Sequence, residues 1–214
     1  MTKKKSYILE HCRKNCSKTS TDWSALYEEL EEILQNMDLD QLINKLFPVL
    51  HHHHRPKITL AGCPNGCSQP QIKDIGISGY VNPQFTDEEC IGCKICIDAC
   101  REQALFWQNK VILEPGLCIG CGDCFRNCPT GTIVAGERGW NLLLGGRLGR
   151  RPQLACLVET GLDSQGVLEK VQEILEAYQK DALPGERLSQ FLDRQNYLLE
   201  KDARLAKEKE TSLS

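Results

Sequence analysis

The sequence predicts an α+β domain that is interrupted by a small, cysteine-rich insert. Stretches with the apolar pattern of strands alternate with stretches of helical periodicity, as in an α+β domain. Between two of the predicted strands, residues 81–131 contain eight of the chain's 13 cysteines. A length of 214 residues suffices for one domain with such an insert. We therefore expect a main domain formed by 1–80 and 132–200, an insert at 81–131, and a polar tail at 201–214.

Two helices are predicted in the first half of the main domain. A helix capped by Asp22 is expected because apolar residues follow at spacings of three and four, while glutamates occupy its other side. A second helix is predicted at 39–50, where Pro48 weakens its end. His51–His54 is interpreted as an exposed linker, since four consecutive histidines cannot all face one metal in a regular element. The apolar positions of the first helix are Trp23, Leu26, Leu30, Ile33, Leu34 and Met37.

The remaining elements are predicted around and inside the insert. Asn82-Pro83 is expected to end the strand that precedes the insert. Cys156 is interpreted as a small, buried apolar residue of a late strand. Strands are predicted at 57–61, 75–81, 132–135, 141–144 and 154–159, a hairpin at 104–107 and 111–114, and helices at 166–178 and 186–199.

The composition excludes several classes of protein. A net charge of −3 argues against a dedicated nucleic-acid binder, and 41% apolar residues argue against a disordered chain. No apolar run approaches the roughly 18–20 residues that span a bilayer, and Met1–Lys5 lacks the apolar stretch of a signal peptide. An odd number of cysteines without an export signal disfavours a disulfide framework. We therefore expect a cytoplasmic protein whose thiolates bind metal.

Two cysteine runs in the insert predict iron–sulfur clusters. Both have the spacing C-x2-C-x2-C-x3-C of bacterial ferredoxins, in which the fourth cysteine of each run ligates the other cluster. Gly92, Gly120 and Gly122 let the backbone curl and direct N–H groups at sulfur. The alternative, a pair of zinc sites, usually uses two distant CxxC pairs. The spacing assigns Cys90, Cys93, Cys96 and Cys128 to one [4Fe–4S] cluster, and Cys118, Cys121, Cys124 and Cys100 to the other.

Two further cysteine pairs lie in the main domain. Cys12 and Cys16 form one C-x3-C pair, and Cys63 and Cys67 form another. Four thiolates could hold a third cluster.

Four segments resemble the sirohaem-dependent sulfite and nitrite reductases. They are the Ala-Gly-Cys-Pro-Asn-Gly-Cys sequence at 61–67, the strand at 74–79, the Gly-Gly-Arg-Leu-Gly-Arg-Arg-Pro region within 140–152, and the helix at 185–194. The resemblance implies the C-terminal half of that architecture, a ferredoxin-like half domain. A two-[4Fe–4S] ferredoxin module inserted between the second and third of these segments resembles the small anaerobic and dissimilatory branches.

The resemblance also implies roles for individual residues. Cys67 would be the catalytic thiolate that bridges a third cluster to sirohaem iron, with Cys63, Cys16 and Cys12 as the other ligands. The family usually has C-x5-C in the first pair, whereas this chain has C-x3-C, so a cluster without Cys12 is the alternative. The arginines of the glycine-rich region would pair with sirohaem carboxylates, the alternative being a solvated basic loop. These are Arg147, Arg150 and Arg151.

The resemblance implies an iron–sulfur oxidoreductase that passes electrons through ferredoxin-type clusters to a coupled [4Fe–4S]/sirohaem centre, where sulfite or nitrite is reduced. The first alternative is an electron-transfer subunit without sirohaem that serves a catalytic partner. The second is a regulatory iron–sulfur protein that senses oxygen or redox state. The expected partners are an electron donor protein or ferredoxin, a small oxyanion, and a second copy or a catalytic partner subunit, but no nucleic acid.

Overall fold

The computed structural model describes residues 5–198. Within this range the strands are β1 (Ile8–His11), β2 (Lys57–Ala61), β3 (Ile75–Phe85), β4 (Leu105–Gln108), β5 (Lys110–Leu113), β6 (Ile133–Leu144) and β7 (Cys156–Leu162). The helices are α1 (Ser24–Asn36), α2 (Leu39–Leu46), α3 (Ile95–Ala99), α4 (Asp123–Arg126), α5 (Ser164–Asp181) and α6 (Leu188–Arg194). Short 3₁₀ turns lie at His52–His54, Pro70–Ile72 and Pro115–Leu117.

A five-stranded mixed sheet in the order β1-β2-β3-β6-β7 forms the centre of the main domain. The first three strands are parallel, and β6 pairs antiparallel with both β3 and β7. Helices α1 and α2 connect β1 to β2, while β4 and β5 form a separate hairpin inside the insert. The predicted α+β class is therefore confirmed.

The two faces of the sheet differ in polarity because successive strand residues point to opposite sides. One face supplies Ile58 and Ile77, among others, to an apolar core that is completed by Leu26 of α1 and Val171 of α5. The other face carries small and polar residues such as Ser78, whose hydroxyl donates to the Cys63 carbonyl at 3.4 Å. The Cys63 carbonyl therefore lies on the polar face.

The central hairpin of β3 and β6 is longer than the sequence predicts. We expected Asn82-Pro83 to end the strand, but β3 continues to Phe85 and pairs with β6 along its length. The expected strands 132–135 and 141–144 are one continuous element. A register shift between Val81 and Pro83 explains the difference, because a bulge accommodates a residue without an N–H donor. The insert thus sits at the end of a hairpin that rises from the sheet.

Element ends differ from the predictions elsewhere. Helix α1 begins at Ser24, whose N–H donates to the Asp22 carboxylate at 3.0 Å. Helix α2 ends at Leu46 rather than at residue 50, since Pro48 cannot continue it. Strand β1 was not predicted, because four residues are too short for a periodic pattern.

The later elements also differ in detail. Helix α6 ends at Arg194, and the expected helix end at 199 and the tail at 201–214 lie outside the described residues. Cys156 begins β7 but is only half-buried, so the prediction of a buried residue is wrong. Within 5–198, no helix is long and apolar enough to cross a membrane.

The insert has a small apolar core of its own. Leu105 and Val111 from the β4–β5 hairpin pack with Ile133 at the start of β6. Two buried cysteines, Cys96 and Cys124, are part of this apolar core. The cysteine loops are thus packed against the hairpin that separates them in the sequence.

Asp74 joins three elements of the main domain. Its carboxylate is buried and accepts N–H groups of Lys57 at 2.8 Å and Ser189 at 3.1 Å, at the starts of β2 and α6. Its carbonyl accepts the N–H of Gly145 at 2.9 Å. Burial raises the pKa of the Asp74 carboxyl above its ordinary value, although both N–H donors oppose the shift.

We predict that Asp74→Asn lowers the free energy of unfolding by roughly 1–3 kcal/mol, because an amide NH₂ would face a buried N–H. Since the folded pKa of Asp74 is raised, the wild type gains stability as pH falls through that pKa, and the difference between the two proteins should widen. Denaturant unfolding at neutral and mildly acidic pH measures both effects. Asp87→Asn, at an exposed position, is the control; equal midpoints for all three proteins would contradict the assignment.

Candidate cysteine sites

The fold gathers cysteines into three groups. The first module site is a cavity lined by Cys90, Cys93, Cys96 and Cys128. The second module site is a cavity lined by Cys100, Cys118, Cys121 and Cys124. The core site contains Cys12, Cys16, Cys63 and Cys67, which lie on the loops after β1 and β2. Each module site therefore combines three cysteines of one run with the fourth cysteine of the other run.

Left-handed backbone shapes the two module loops. Gly92 and Gly120 have φ values of +68°, and each lies just before the second cysteine of its run. Lys94 and Gly122 occupy matching positions before α3 and α4, with φ values of +62° and +81°. A side chain at Gly122 would place its Cβ 2.6 Å from Cε1 of Phe125. The second loop therefore requires glycine at a position where the first loop accepts lysine.

The module thiols differ in electrostatic environment. Burial raises the pKa of Cys124 to about 11 and raises the pKa of Cys96. Burial also opposes ionisation of Cys128, but the N–H of Ile133 and the hydroxyl of Thr130 outweigh it and lower the pKa. Two of the buried thiols thus favour the neutral form until a metal replaces the proton.

The core site lies where the parallel strands β1 and β2 end. The Cys12 N–H donates to the Leu60 carbonyl at 2.9 Å, and the Gly62 N–H donates to the Cys12 Sγ at 3.3 Å. The backbone N–H of Lys18 lowers the pKa of Cys16, whereas burial raises the pKa of Cys63.

Exposure distinguishes the two cysteines of the 63–67 loop. Cys63 is buried, whereas the Cys67 thiol is exposed and accepts an N–H from Asn65 Nδ2 at 3.0 Å. Cys67 is therefore the core-site cysteine whose sulfur is open to a second group.

A cavity of about 250 Å³, the core cavity, lies between the core site and the second module site. Its walls include Cys16, Cys63 and Cys67 on one side and Cys121 on the other. Cys12 does not line this cavity. It is linked to the other core-site cysteines because its sulfur accepts the Gly62 N–H, next to Cys63, and because its charge helps to raise the pKa of Cys63. A second cavity of about 580 Å³ lies on the polar face of the sheet, beside Asn65, Ser78, Tyr80 and Asn141.

The donor set fits [4Fe–4S] clusters. Sulfur atoms receive backbone N–H groups, as from Gly62 to Cys12 and from Ala104 to Cys100 at 3.3 Å. Thiolate ligands with such N–H donors are typical of protein-bound clusters. Among residues 5–198, no three Cys, His, Asp or Glu side chains stand close enough to share a single metal ion.

The predicted arginines have different surroundings. The Arg147 guanidinium pairs with the Asp193 carboxylate and donates to Oε1 of Gln153 at 2.8 Å. Arg150 and Arg151 are exposed in the following turn. The structure therefore places Arg147 in an intrachain contact and leaves the other two facing solvent.

Sequence reasoning overlooked several polar residues beside the sites. Lys18 and Asp123 line the cavity between the core site and the second module site, and Arg126 adjoins them. Asn65 lies between two cysteines and could have been identified from that position. The contact of Lys18 with Asp123 joins residues that are far apart in the sequence, so no local pattern reveals it.

Comparison with known proteins identifies the family. Residues 6–197 match the nitrite and sulphite reductase 4Fe-4S domain. The chain belongs to this family. The resemblance found in the sequence is therefore confirmed, and so is the fold implied by it.

Named relatives come from anaerobic and dissimilatory sulfite reductases. The chain is 29% identical over 195 residues to one subunit of the anaerobic sulfite reductase of Salmonella typhimurium, covering 86% of this chain and 52% of that protein. It is 30% identical over 173 residues to the beta subunit of the dissimilatory-type sulfite reductase of Archaeoglobus fulgidus, covering 72% and 47%. The crystal structure of dissimilatory sulfite reductase I shares the fold with a TM-score of 0.60 and 18% identity, over 89% of this chain and 51% of that one. The chain thus spans about half the length of these relatives.

We predict that Gly122→Ala destabilises the protein by roughly 1–3 kcal/mol, because an alanine at this φ is strained and its Cβ would meet Phe125 and Val81. Lys94→Gly is the matched control in the other loop and should change stability much less. Denaturant midpoints and iron content of anaerobically purified protein measure the effects. Equal midpoints for Gly122→Ala and Lys94→Gly would contradict the strain argument.

Proposed function

We propose that this chain is the cluster-bearing part of a sulfite or nitrite reductase, which carries electrons from a donor protein towards a reducing centre at Cys67. The observation that supports the proposal is the arrangement of the three cysteine sites. Cys121 lines both the second module site and the cavity of the core site. The second module site therefore adjoins the core site.

The residues that would hold the cofactors follow from the three groups. When bound, the clusters supply one-electron carriers and a sirohaem supplies the iron at which the oxyanion is reduced. The exposed sulfur of Cys67 is the candidate contact to that iron, and Asn65 orients this sulfur through its N–H. The cavity on the polar face of the sheet begins at Asn65 and offers space for a large group. Arg150 and Arg151 remain candidates for its carboxylates.

Charge at the core cavity indicates that the chain acts with a second subunit. The basic side chains on the cavity wall are Lys18 and Arg101, and the acidic ones are Glu102 and Asp123. Lys18 already pairs with Asp123 at 2.6 Å, and the cavity on the polar face of the sheet has no lysine or arginine among its described lining residues, so the two cavities carry little free positive charge for an oxyanion. Because the named relatives are subunits of sulfite reductases, we infer that a catalytic partner subunit or a second copy completes the anion site.

One observation favours the alternative of an electron-transfer subunit without sirohaem. Arg147, the first arginine of the glycine-rich region, is held by Asp193 and Gln153 rather than left open for a carboxylate. In this case the three clusters would serve a partner that holds the catalytic centre, in the same reducing cytoplasm.

The optical spectrum of protein purified without oxygen from a sirohaem-producing host distinguishes the two functions. Isobacteriochlorin bands above the broad iron–sulfur absorption would support the reductase. Broad absorption alone, with no pigment extractable in acid acetone, would reject the sirohaem centre and favour the electron-transfer subunit.

We predict that Cys67→Ser abolishes sulfite or nitrite reduction with reduced viologen, because serine removes the exposed sulfur of the core site. The two module clusters should keep their signals in electron paramagnetic resonance. Cys156→Ser is the matched control, since this half-buried cysteine belongs to none of the three groups. Turnover at the wild-type rate in Cys67→Ser would reject the role of Cys67.

We predict that Cys16→Ala removes the third cluster's signal, because Cys16 lines the core cavity beside Cys63 and Cys67. Cys12→Ala tests the alternative of three cysteine ligands. A third signal that survives in Cys12→Ala but not in Cys16→Ala would select that alternative, whereas loss in both variants would select four ligands. An unchanged spectrum in Cys16→Ala would show that the N-terminal pair does not bind the cluster.

A further inference from the structure

Arg126 connects two loops that carry cysteines of different sites. It ends helix α4, between Cys124 and Cys128 of the insert. Its Nη1 donates to the Cys121 carbonyl at 2.7 Å within the second module loop. Its Nη2 donates to the carbonyls of Lys18 at 3.1 Å and Thr19 at 3.3 Å in the N-terminal loop. One guanidinium therefore donates to backbone carbonyls of both the insert and the main domain.

The Cys121 peptide is fixed from the N-terminal loop by a second donor. The Ser20 hydroxyl donates to the same Cys121 carbonyl at 3.2 Å, and Ser20 is almost fully buried. The N-terminal loop is in turn attached to the core site, because Ser20 N–H donates to the Gly62 carbonyl at 2.8 Å, beside Cys63. A continuous set of hydrogen bonds thus runs from Arg126 to the Cys63 loop.

Side-chain charges hold Arg126 in this position. The Asp123 carboxylate accepts from Arg126 Nη1 at 3.3 Å and from Lys18 Nζ at 2.6 Å. The side chains of Asp123 and Arg126 are 19% and 21% exposed, so water screens their interaction only in part. The planar guanidinium has five donors in a fixed geometry, and an ammonium group cannot span the same carbonyls.

We propose that Arg126 is a positioning residue that sets the separation between the second module site and the core site, and thereby the rate of electron transfer between them. This inference rests on the proposed function, since it requires a cluster at each site. Cys121 lies on the walls of both sites, so a movement of its loop changes their separation directly. In its described hydrogen bonds Arg126 donates to three backbone carbonyls and to the Asp123 carboxylate, and to no cysteine sulfur. Its replacement should therefore spare the clusters and change their communication.

The test compares Arg126→Met and Arg126→Lys with wild-type protein under anaerobic conditions. Methionine retains an apolar stem but no donor, and lysine retains the charge without the planar group. Two readouts do not depend on turnover: the magnetic interaction between reduced clusters in electron paramagnetic resonance, and the rate at which electrons from reduced viologen redistribute to the core site. Iron and sulfide content shows whether all clusters are present.

We expect full iron content in both variants, a weakened magnetic interaction, and redistribution that is slower by roughly 10-fold in Arg126→Met, the lower end of the loss of activity that follows when a residue supporting a metal site is replaced. Arg126→Lys should restore little of the rate. Arg194→Met is the matched control, because Arg194 also ends a helix and donates to a backbone carbonyl, that of Asp181 at 2.8 Å, and to the Glu186 carboxylate, away from the cysteine loops. This control should leave both readouts near the wild-type values.

Unchanged magnetic interaction and rate in Arg126→Met would overturn the proposal, and so would an equal loss in Arg194→Met. If Arg126→Met loses iron, Ser20→Ala decides the question, since it removes the second donor to Cys121 without changing a charge. A slower rate in Ser20→Ala supports the proposal, and an unchanged rate overturns it. If wild-type protein holds clusters only at the two module sites, the proposed function itself is rejected. This result distinguishes a failure of the proposed function from a failure of the role given to Arg126.

Discussion

The antiparallel pairing of β3 with β6 is the constraint on which the rest of the molecule depends. Its lower part, from Ile75 opposite Leu144, lies inside the sheet and is covered by helices on one face. Its upper part, as far as Phe85 opposite Ile133, extends beyond the neighbouring strands and carries the insert. At the bulge between these parts the Val81 N–H donates to the Gly120 carbonyl at 2.8 Å. This bond turns the second cysteine loop back towards the sheet, where the core cysteines lie.

The cysteines are gathered by backbone contacts rather than by attraction between thiols. Burial keeps the pKa of Cys124 near 11 and that of Cys63 above its usual value, so these thiols enter the fold as neutral groups. N–H donors such as that of Gly62 already point at sulfur. Because ligands must lose their protons, cluster binding releases protons and exchanges the unfavourable burial of thiolates for bonds to iron.

The sequence predicts those parts that depend on local spacing. The grouping of cysteines follows from two tandem runs, and the apolar faces of α1 and α5 follow from helical periodicity. Parts that depend on distant contacts escaped prediction. The rule that proline ends a strand is local, whereas pairing with β6 carries β3 past Pro83. Arg147 suits either a bound carboxylate or Asp193, and only the fold shows the second contact. The contact between Arg126 and Lys18 likewise has no local pattern.

The insert is closed at its base by a pair of hydrogen bonds. The Thr86 N–H donates to the Thr132 carbonyl at 2.9 Å, and the Thr86 hydroxyl donates to the Gly131 carbonyl at 2.8 Å. Because its two ends are neighbours, the insert is a closed loop in the main domain. The entropic cost of closing such a loop on folding rises only slowly with its length. A tight turn could therefore join the same two strands in place of the insert. The two module sites could be gained or lost without a change in the strand order of the sheet.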